Sequence, residues 1–162
     1  MKLERYFAKF RLISELRTPP GIVYHPVANG SAIEAGSVVG QNGSGYWAEI
    51  TTLQSVISCG IAVTTNTAGE ASADGAVNVG VIPIDSGASG MQFAVPVAAT
   101  DKITVAQVGL IYDLEAAETI DEGDAVTFGL GFRVDAIDVS DEAIDANAFG
   151  FAIGHFEFIA AN

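Results

Sequence analysis

Apolar and polar positions alternate along the chain over short stretches, separated by clusters of glycine, serine, asparagine and aspartate. Short alternating runs rich in valine and isoleucine are typical of β-strands, and the separators are typical of turns. We therefore expect an all-β domain, a compact barrel or sandwich of short strands. The predicted strands lie near residues 22–27, 37–40, 46–53, 56–65, 77–84, 91–97, 105–112, 124–129, 131–137 and 149–159.

Three short motifs predict local structure between these strands. Asn29-Gly30 and Asn42-Gly43 suit tight turns that need a positive φ. Ser140, followed by Asp141 and Glu142, can cap one short helical turn, because acidic residues stabilise the first turn of a helix.

The first 17 residues have a different pattern. Their apolar side chains recur at helical spacing, but the same stretch also alternates as a strand, so an extended and a short-helical form both stay open. The segment "TPPG" at 18–21 then redirects the chain, because proline cannot donate a hydrogen bond and restricts its neighbour. We expect a basic, aromatic N-terminal arm with a Pro-rich hinge over residues 1–21 and a β domain over residues 22–162.

Composition supports the β assignment. Valine and isoleucine total 31 residues and leucine only 7, a ratio that favours strands over helices. A chain of 162 residues is expected to form one domain with a sizeable core. No apolar run approaches the ~20 residues of a membrane helix, and no secretory signal is visible.

Charge divides the chain into two parts. Residues 1–17 hold five basic and two acidic residues, a net charge of +3. Residues 18–162 hold two basic and eighteen acidic residues, a net charge of −16. An acidic body repels nucleic acid and anionic membranes, so we expect neither as a partner.

The sequence offers no convincing catalytic group. His25 and His155 are the only histidines, and each lies in an apolar, strand-like context that is typical of a surface-tipped strand histidine. Cys59, the only cysteine, lies in "SVISCGIAV" and is predicted to be a buried thiol. Nucleophile elbows and phosphate-binding glycine loops are absent. We therefore predict no enzymatic activity, no catalytic residues and no cofactor.

Metal binding is the stronger chemical alternative, because acidic residues cluster at 121–124 and at 135–145. Neither run has the ligand spacing and bend glycine of a calcium loop, so we predict no metal site. Asp121, Glu122 and Asp124 are predicted to form a polar turn before a strand. Tyr46-Trp47 is predicted to fill the core rather than to form a ligand platform.

Two short strings recur within the chain. Ile33 and Gly36, with an acid between them, resemble Ile120 and Gly123, and "CGIAV" at 59–63 resembles "FGFAI" at 149–153. These matches predict two related β units, around residues 32–64 and 119–154, with chance matching of short strings as the alternative.

The same residues carry a resemblance to a known family. The pattern Ile-x-x-Gly-Asp-x-Val, followed by Gly-x-Ala-Ile-Gly, resembles the decoration, or cement, proteins of tailed-bacteriophage heads, over roughly residues 28–159. The resemblance implies a non-enzymatic homo-oligomer, with a trimer favoured, that binds the major capsid protein on the outside of the virion, is made in the host cytoplasm and stiffens the shell. The residues that carry it are Ile120, Gly123, Asp124, Val126, Gly150, Ala152, Ile153 and Gly154, with a weaker echo at Ile33, Gly36, Val39, Gly60, Ala62 and Val63.

The arm is the predicted partner-binding segment. Its apolar stripe is too small to offset its own ordering, so we expect it to leave the body and dock on a different chain. Other classes stay open: another self-assembling virion component, such as a tail-tube or minor head protein, or an extracellular carbohydrate- or calcium-binding module. The predicted contact residues are Lys2, Arg5, Phe7, Lys9, Phe10, Arg11, Ile13 and Arg17.

Overall fold

The computed structural model describes residues 11–12, 21–53, 58–84, 91–98, 102–127 and 129–160. These residues form an all-β structure, as predicted, with one 3-10 turn (Val105–Gln107) and one short α-helix, α1 (Asp141–Ala146). None of the described helices is long and apolar enough to cross a membrane. The strands are β1 (Arg11–Leu12), β2 (Val23–Pro26), β3 (Val38–Gln41), β4 (Trp47–Glu49), β5 (Cys59–Ala62), β6 (Asn78–Ile84), β7 (Phe93–Ala98), β8 (Ile111–Ala116), β9 (Thr119–Ala125), β10 (Gly129–Asp138) and β11 (Phe151–Ile159).

Local predictions of turns and caps are largely confirmed. Ser140 caps α1 by accepting a hydrogen bond from the Ala143 N–H at 3.4 Å. Gly30 has φ +72° in its turn. In the second turn Asn42 accepts hydrogen bonds from two backbone N–H groups through its side chain, but Gly45 rather than Gly43 takes the positive φ.

The strands predicted at 105–112 and 124–129 are wrong in their bounds, since β8 is Ile111–Ala116 and β9 is Thr119–Ala125. Residues 105–107 form the 3-10 turn, because Thr104 caps it, and β8 begins only at Ile111. The polar turn predicted at 121–124 is also wrong, because those acids lie inside β9. Cross-strand pairing of Ala116 with Thr119 puts the hairpin turn before β9.

The strands form two sheets that each close into a barrel. One has the order β2-β6-β5-β3-β4 and the other β1-β7-β11-β10-β8-β9. A parallel pairing of β7 with β9 joins the ends of the second sheet, leaving β1 as an added edge strand. A parallel bridge between Val27 and Trp47 makes the corresponding closure between the end of β2 and β4.

The two barrels share one topology. Strands β2 to β6 correspond in order to β7 to β11, because both sheets place the first strand beside the fifth, then the fourth, second and third. Hydrogen bonds repeat as well. The N–H of Gly36 (φ +93°) donates to the Ala62 carbonyl at 2.7 Å, and the N–H of Gly109 (φ +89°) donates to the Val134 carbonyl at 2.7 Å. The strand order therefore shows two related units over residues 23–84 and 93–159. The predicted units, around residues 32–64 and 119–154, are wrong in their bounds.

The residue correspondence drawn from the short strings is wrong. Gly36 lies in a turn ahead of β3, whereas Gly123 lies inside β9. Gly60 lies within β5, whereas Gly150 (φ +86°) precedes β11. A better signal is Pro-Val-Ala followed five residues later by isoleucine, which occurs at 26–33 and again at 96–103 at equivalent places in the two barrels.

Alternation along the strands produces two apolar cores. Val39 and Ala62 point into the first barrel, while their neighbours Val38 and Ile61 point outward and pack on the core of the second. The two barrels thus share an apolar interface. The first core comprises Val27, Ile33, Val39, Trp47, Ala62, Ala71, Val79 and Val81, and the second is built around Phe93, Val95, Phe132, Val134 and Phe156.

One buried carboxylate crosses this interface. Asp113 in β8 is 3% exposed and accepts hydrogen bonds from the Thr52 hydroxyl at 2.6 Å and the Leu53 N–H at 2.6 Å. The same carboxylate accepts from the Leu114 N–H at 2.8 Å. Nearby, the Val38 N–H donates to the Ala117 carbonyl at 2.7 Å. Polar and apolar contacts therefore hold the two barrels together.

We predict that Gly36→Ala and Gly109→Ala each lower the free energy of unfolding by about 1–2 kcal/mol, because each position needs a backbone conformation that L-residues disfavour. Denaturant unfolding measures both. Gly43→Ala is the control, because an added Cβ there meets no atom within 4 Å, and its φ is not in the positive range. A large loss in only one of the two glycine variants would contradict the equivalence of the two turns.

We predict that Asp113→Ala lowers the free energy of unfolding by about 2–4 kcal/mol, because it leaves the buried N–H groups of Leu53 and Leu114 without this acceptor. Asp113→Asn should cost about 1 kcal/mol or less, since the amide oxygen can keep the N–H bonds and the Thr52 hydroxyl can turn to accept. Exposed Glu115 in the same strand provides the control, Glu115→Ala. Equal losses for the alanine and asparagine variants of Asp113 would show that the hydrogen bonds to its side chain do not stabilise the interface.

Candidate partner-binding surfaces

The predicted arm lies almost entirely outside the described residues. Arg11 is the one predicted contact residue in a described element, and it belongs to β1. The other seven stay predictions: Lys2, Arg5, Phe7, Lys9, Phe10, Ile13 and Arg17.

Strand β1 pairs with the second barrel of its own chain. Arg11 lies opposite Ala94 and Leu12 opposite Phe93, antiparallel to β7. This edge of β7 is available because β9 pairs only with Val97 and Ala98 further along. The prediction that the arm leaves the body is therefore wrong at these two residues, where backbone pairing holds the chain on its own sheet.

An exposed apolar edge lies on the first barrel, at the start of β2. Ile22, Val23 and Tyr24 are 51%, 44% and 64% exposed. An ideal Cβ at Gly80 would lie within 3.2 Å of both Ile22 and Tyr24, so these two side chains cover the outer face of β6 at a position without a side chain. The edge carries no charged side chain between residues 21 and 26.

A polar network covers the outer face of β10 and β11. Arg133 makes a two-point ion pair with Glu157 and donates to the Gly109 carbonyl at 2.6 Å. The hydrogen bond from Arg133 lowers the pKa of Glu157. His155 Nδ1 lies 2.8 Å from an Asp135 carboxylate oxygen. Because these hydrogen bonds and ion pairs cross between strands, they stabilise the pairing of β10 with β11 and hold the turn before β8 against β10.

The acidic runs do not converge on one point. Asp135 contacts His155 and Gln92, while Asp138 accepts hydrogen bonds from the N–H and hydroxyl of Ser140. Among the residues that the structure describes, no group of three or more His, Cys, Asp or Glu side chains could hold a metal ion. The absence of a metal site stays a prediction for the protein.

The aromatic pair Tyr46-Trp47 does not form an exposed platform. Trp47 is 2% exposed in the first core and stacks on His25, with ring centroids 4.0 Å apart and an interplanar angle of 11°. Burial lowers the pKa of His25. The prediction that the tryptophan fills the core is confirmed, and the carbohydrate-platform alternative loses its main residue.

Sequence reasoning missed three sets of residues: Asp113, the Arg133–Glu157 pair and the exposed edge at Tyr24. Asp113 stands out only as a charged residue within the apolar run "GLIYDLE". Tyr24 stands out only once the strand order places β2 at an open edge, and the alternation of side chains along the sequence does not give the strand order. The repeated Pro-Val-Ala string was the available signal, since it marks β2 and β7 as equivalent strands.

Comparison of the chain with protein-family models, curated protein sequences and solved structures finds no match.

We predict that Cys59 is chemically inert in the folded protein. The thiol is 3% exposed, and burial raises its pKa to about 12, so almost no thiolate forms at about pH 8. A chromogenic thiol reagent should label nothing in the native protein and one thiol per chain in denaturant. Ser58→Cys is the matched control, because Ser58 is exposed and its new thiol should label in the folded state. Equal labelling rates of wild type and this variant would contradict the prediction.

Proposed function

We propose that the chain is a structural virion protein that binds the outer surface of a tailed-bacteriophage capsid and stabilises the shell without catalysing a reaction. Its partners are the major capsid protein and further copies of itself. The carrying observation is the separation of charge between a basic arm of +3 and an acidic body of −16, set beside the motif resemblance described above.

The construction of the body suits this role. Its two barrels are joined by a shared apolar interface and a buried carboxylate. A unit of this kind resists deformation of the lattice to which it is attached. The basic arm supplies a means of attachment, because charge of opposite sign to the body separates the part that docks from the part that faces solvent.

Another self-assembling virion component is a second candidate, favoured by the exposed edge of β2. A tail-tube or minor head protein assembles through such edges into rings or filaments, because strand addition continues a sheet between subunits. Electron microscopy of the purified protein distinguishes this candidate, since a decoration protein stays a small oligomer until capsids are added.

We predict that Phe7→Ala/Phe10→Ala weakens capsid binding at least a hundredfold, because truncating each buried aromatic anchor costs about 3–5 kcal/mol. Lys9→Ala should weaken it only slightly, since a rim charge contributes about 0.2–1 kcal/mol. Co-sedimentation with undecorated capsids of the encoding phage measures both.

Phe158→Ala is the matched control, because Phe158 is an exposed phenylalanine on the second barrel, 56% exposed. It should bind as wild type does. Undiminished binding of the arm variant would show that the acidic body makes the contact. Absence of binding by the wild-type protein would reject the capsid proposal itself.

A further inference from the structure

The equivalent strands β2 and β7 differ in whether another strand pairs with their outer edge. In the second barrel β1 covers β7 at Phe93 and Ala94. The strand pairings place Val23 and Tyr24 of β2 at the corresponding positions, because Val23 lies opposite Val81 and Phe93 lies opposite Gly154 in equivalent partner strands. Within the described part of the chain, no strand covers β2 at these two residues.

The hydrogen-bond ladder fixes which backbone groups face that edge. The Val27 N–H donates to the Val77 carbonyl, so alternate residues of β2 back to Val23 face β6. The N–H and C=O of Tyr24 therefore face away from β6. In the second barrel the Val97 N–H donates to Gly150, and by the same alternation Ala94 faces β1.

The edge lacks most of the devices that prevent strand addition. Lysine, inward-pointing charges and bulges protect edge strands in most soluble proteins. Here the exposed residues are Ile22, Val23 and Tyr24, and only Pro26, at the far end of β2, lacks an N–H. An open ladder flanked by exposed apolar side chains is a binding surface for another strand.

We propose that β2 pairs with β2 of a second copy of this chain, antiparallel, about a two-fold axis at Tyr24. In that register the Tyr24 N–H of each copy donates to the Tyr24 carbonyl of the other, the two Tyr24 side chains lie side by side, and Ile22 lies opposite Pro26 of the other copy. A second copy fits better than an arm, because the described part of the arm already pairs with β7. This pairing does not depend on the capsid proposal.

The size of the edge sets the strength of the dimer. Three exposed residues on each copy bury less than the ~1,200 Å² of a stable interface, so the pairing is weak and depends on concentration. Sedimentation equilibrium of the wild-type protein from about 10 µM to about 1 mM should show a monomer–dimer equilibrium.

Tyr24→Lys should leave a folded monomer throughout that range, because it places two like charges directly opposite each other across the axis. Tyr24→Pro should do the same by removing the outward N–H, while the bonds to β6 remain. Phe158→Lys, the same kind of change on the second barrel, should dimerise as wild type does. Circular dichroism verifies that each variant is folded.

A wild-type protein that stays monomeric to about 1 mM would overturn the proposal. Association that persists unchanged in Tyr24→Lys would do so as well. Association that survives Tyr24→Lys but disappears when residues 1–10 are deleted would assign the contact to the arm and reject the β2 pairing.

Discussion

The carboxylate of Asp113 is the most buried polar contact between the two barrels. The barrels also meet through apolar side chains and through the hydrogen bond from the Val38 N–H to the Ala117 carbonyl. The Asp113 oxygens accept from the Thr52 hydroxyl and the Leu53 N–H, both supplied by the segment that leaves β4 of the first barrel. A buried carboxylate is costly unless such donors surround it, so its presence fixes where that segment runs. Apolar contacts such as that of Ile61 add area without fixing orientation. Together with the hydrogen bond from the Val38 N–H to the Ala117 carbonyl, the Asp113 contact sets the orientation of the barrels, on which the proposed shell-stiffening role depends.

The two barrels share their strand order and turn geometry but differ in the contacts made on their outer faces. Turn geometry at Gly36 and Gly109 is the same in both, because each glycine has a positive φ and donates to the strand that lies next to the one it precedes. The residue equivalent to Asp113 is Gly40, since the residues before each, Val39 and Tyr112, occupy matching pairs. The hydrogen bonds that Asp113 accepts across the interface therefore have no counterpart at Gly40. The same holds for β1, which covers one first strand and not the other.

Strand positions could be predicted from sequence because side-chain alternation and turn residues are local, and the cap at Ser140 is local too. Pairing partners could not be predicted, because the first and third strands of each barrel meet only across long connections. The predicted repeat was aligned on glycine strings that occur in different settings, and the Pro-Val-Ala string marks the equivalent strands correctly. The arm residues predicted to bind a partner lie mostly outside the described chain, and the exposed edge at Tyr24 emerged only from strand order.

The position of the fifth strand between the first and the fourth has a consequence for the growing chain on the ribosome. The first barrel cannot close before β6 has been synthesised, since β6 lies between β2 and β5. Until the second barrel forms, Cys59 and Ile61 lack part of their apolar surroundings, because both belong to the cluster that the two barrels share. The nascent protein thus passes through a stage in which one finished barrel has an incompletely covered apolar flank, and the speed of translation through residues 93–134 sets how long that flank is open to chaperones or to self-association.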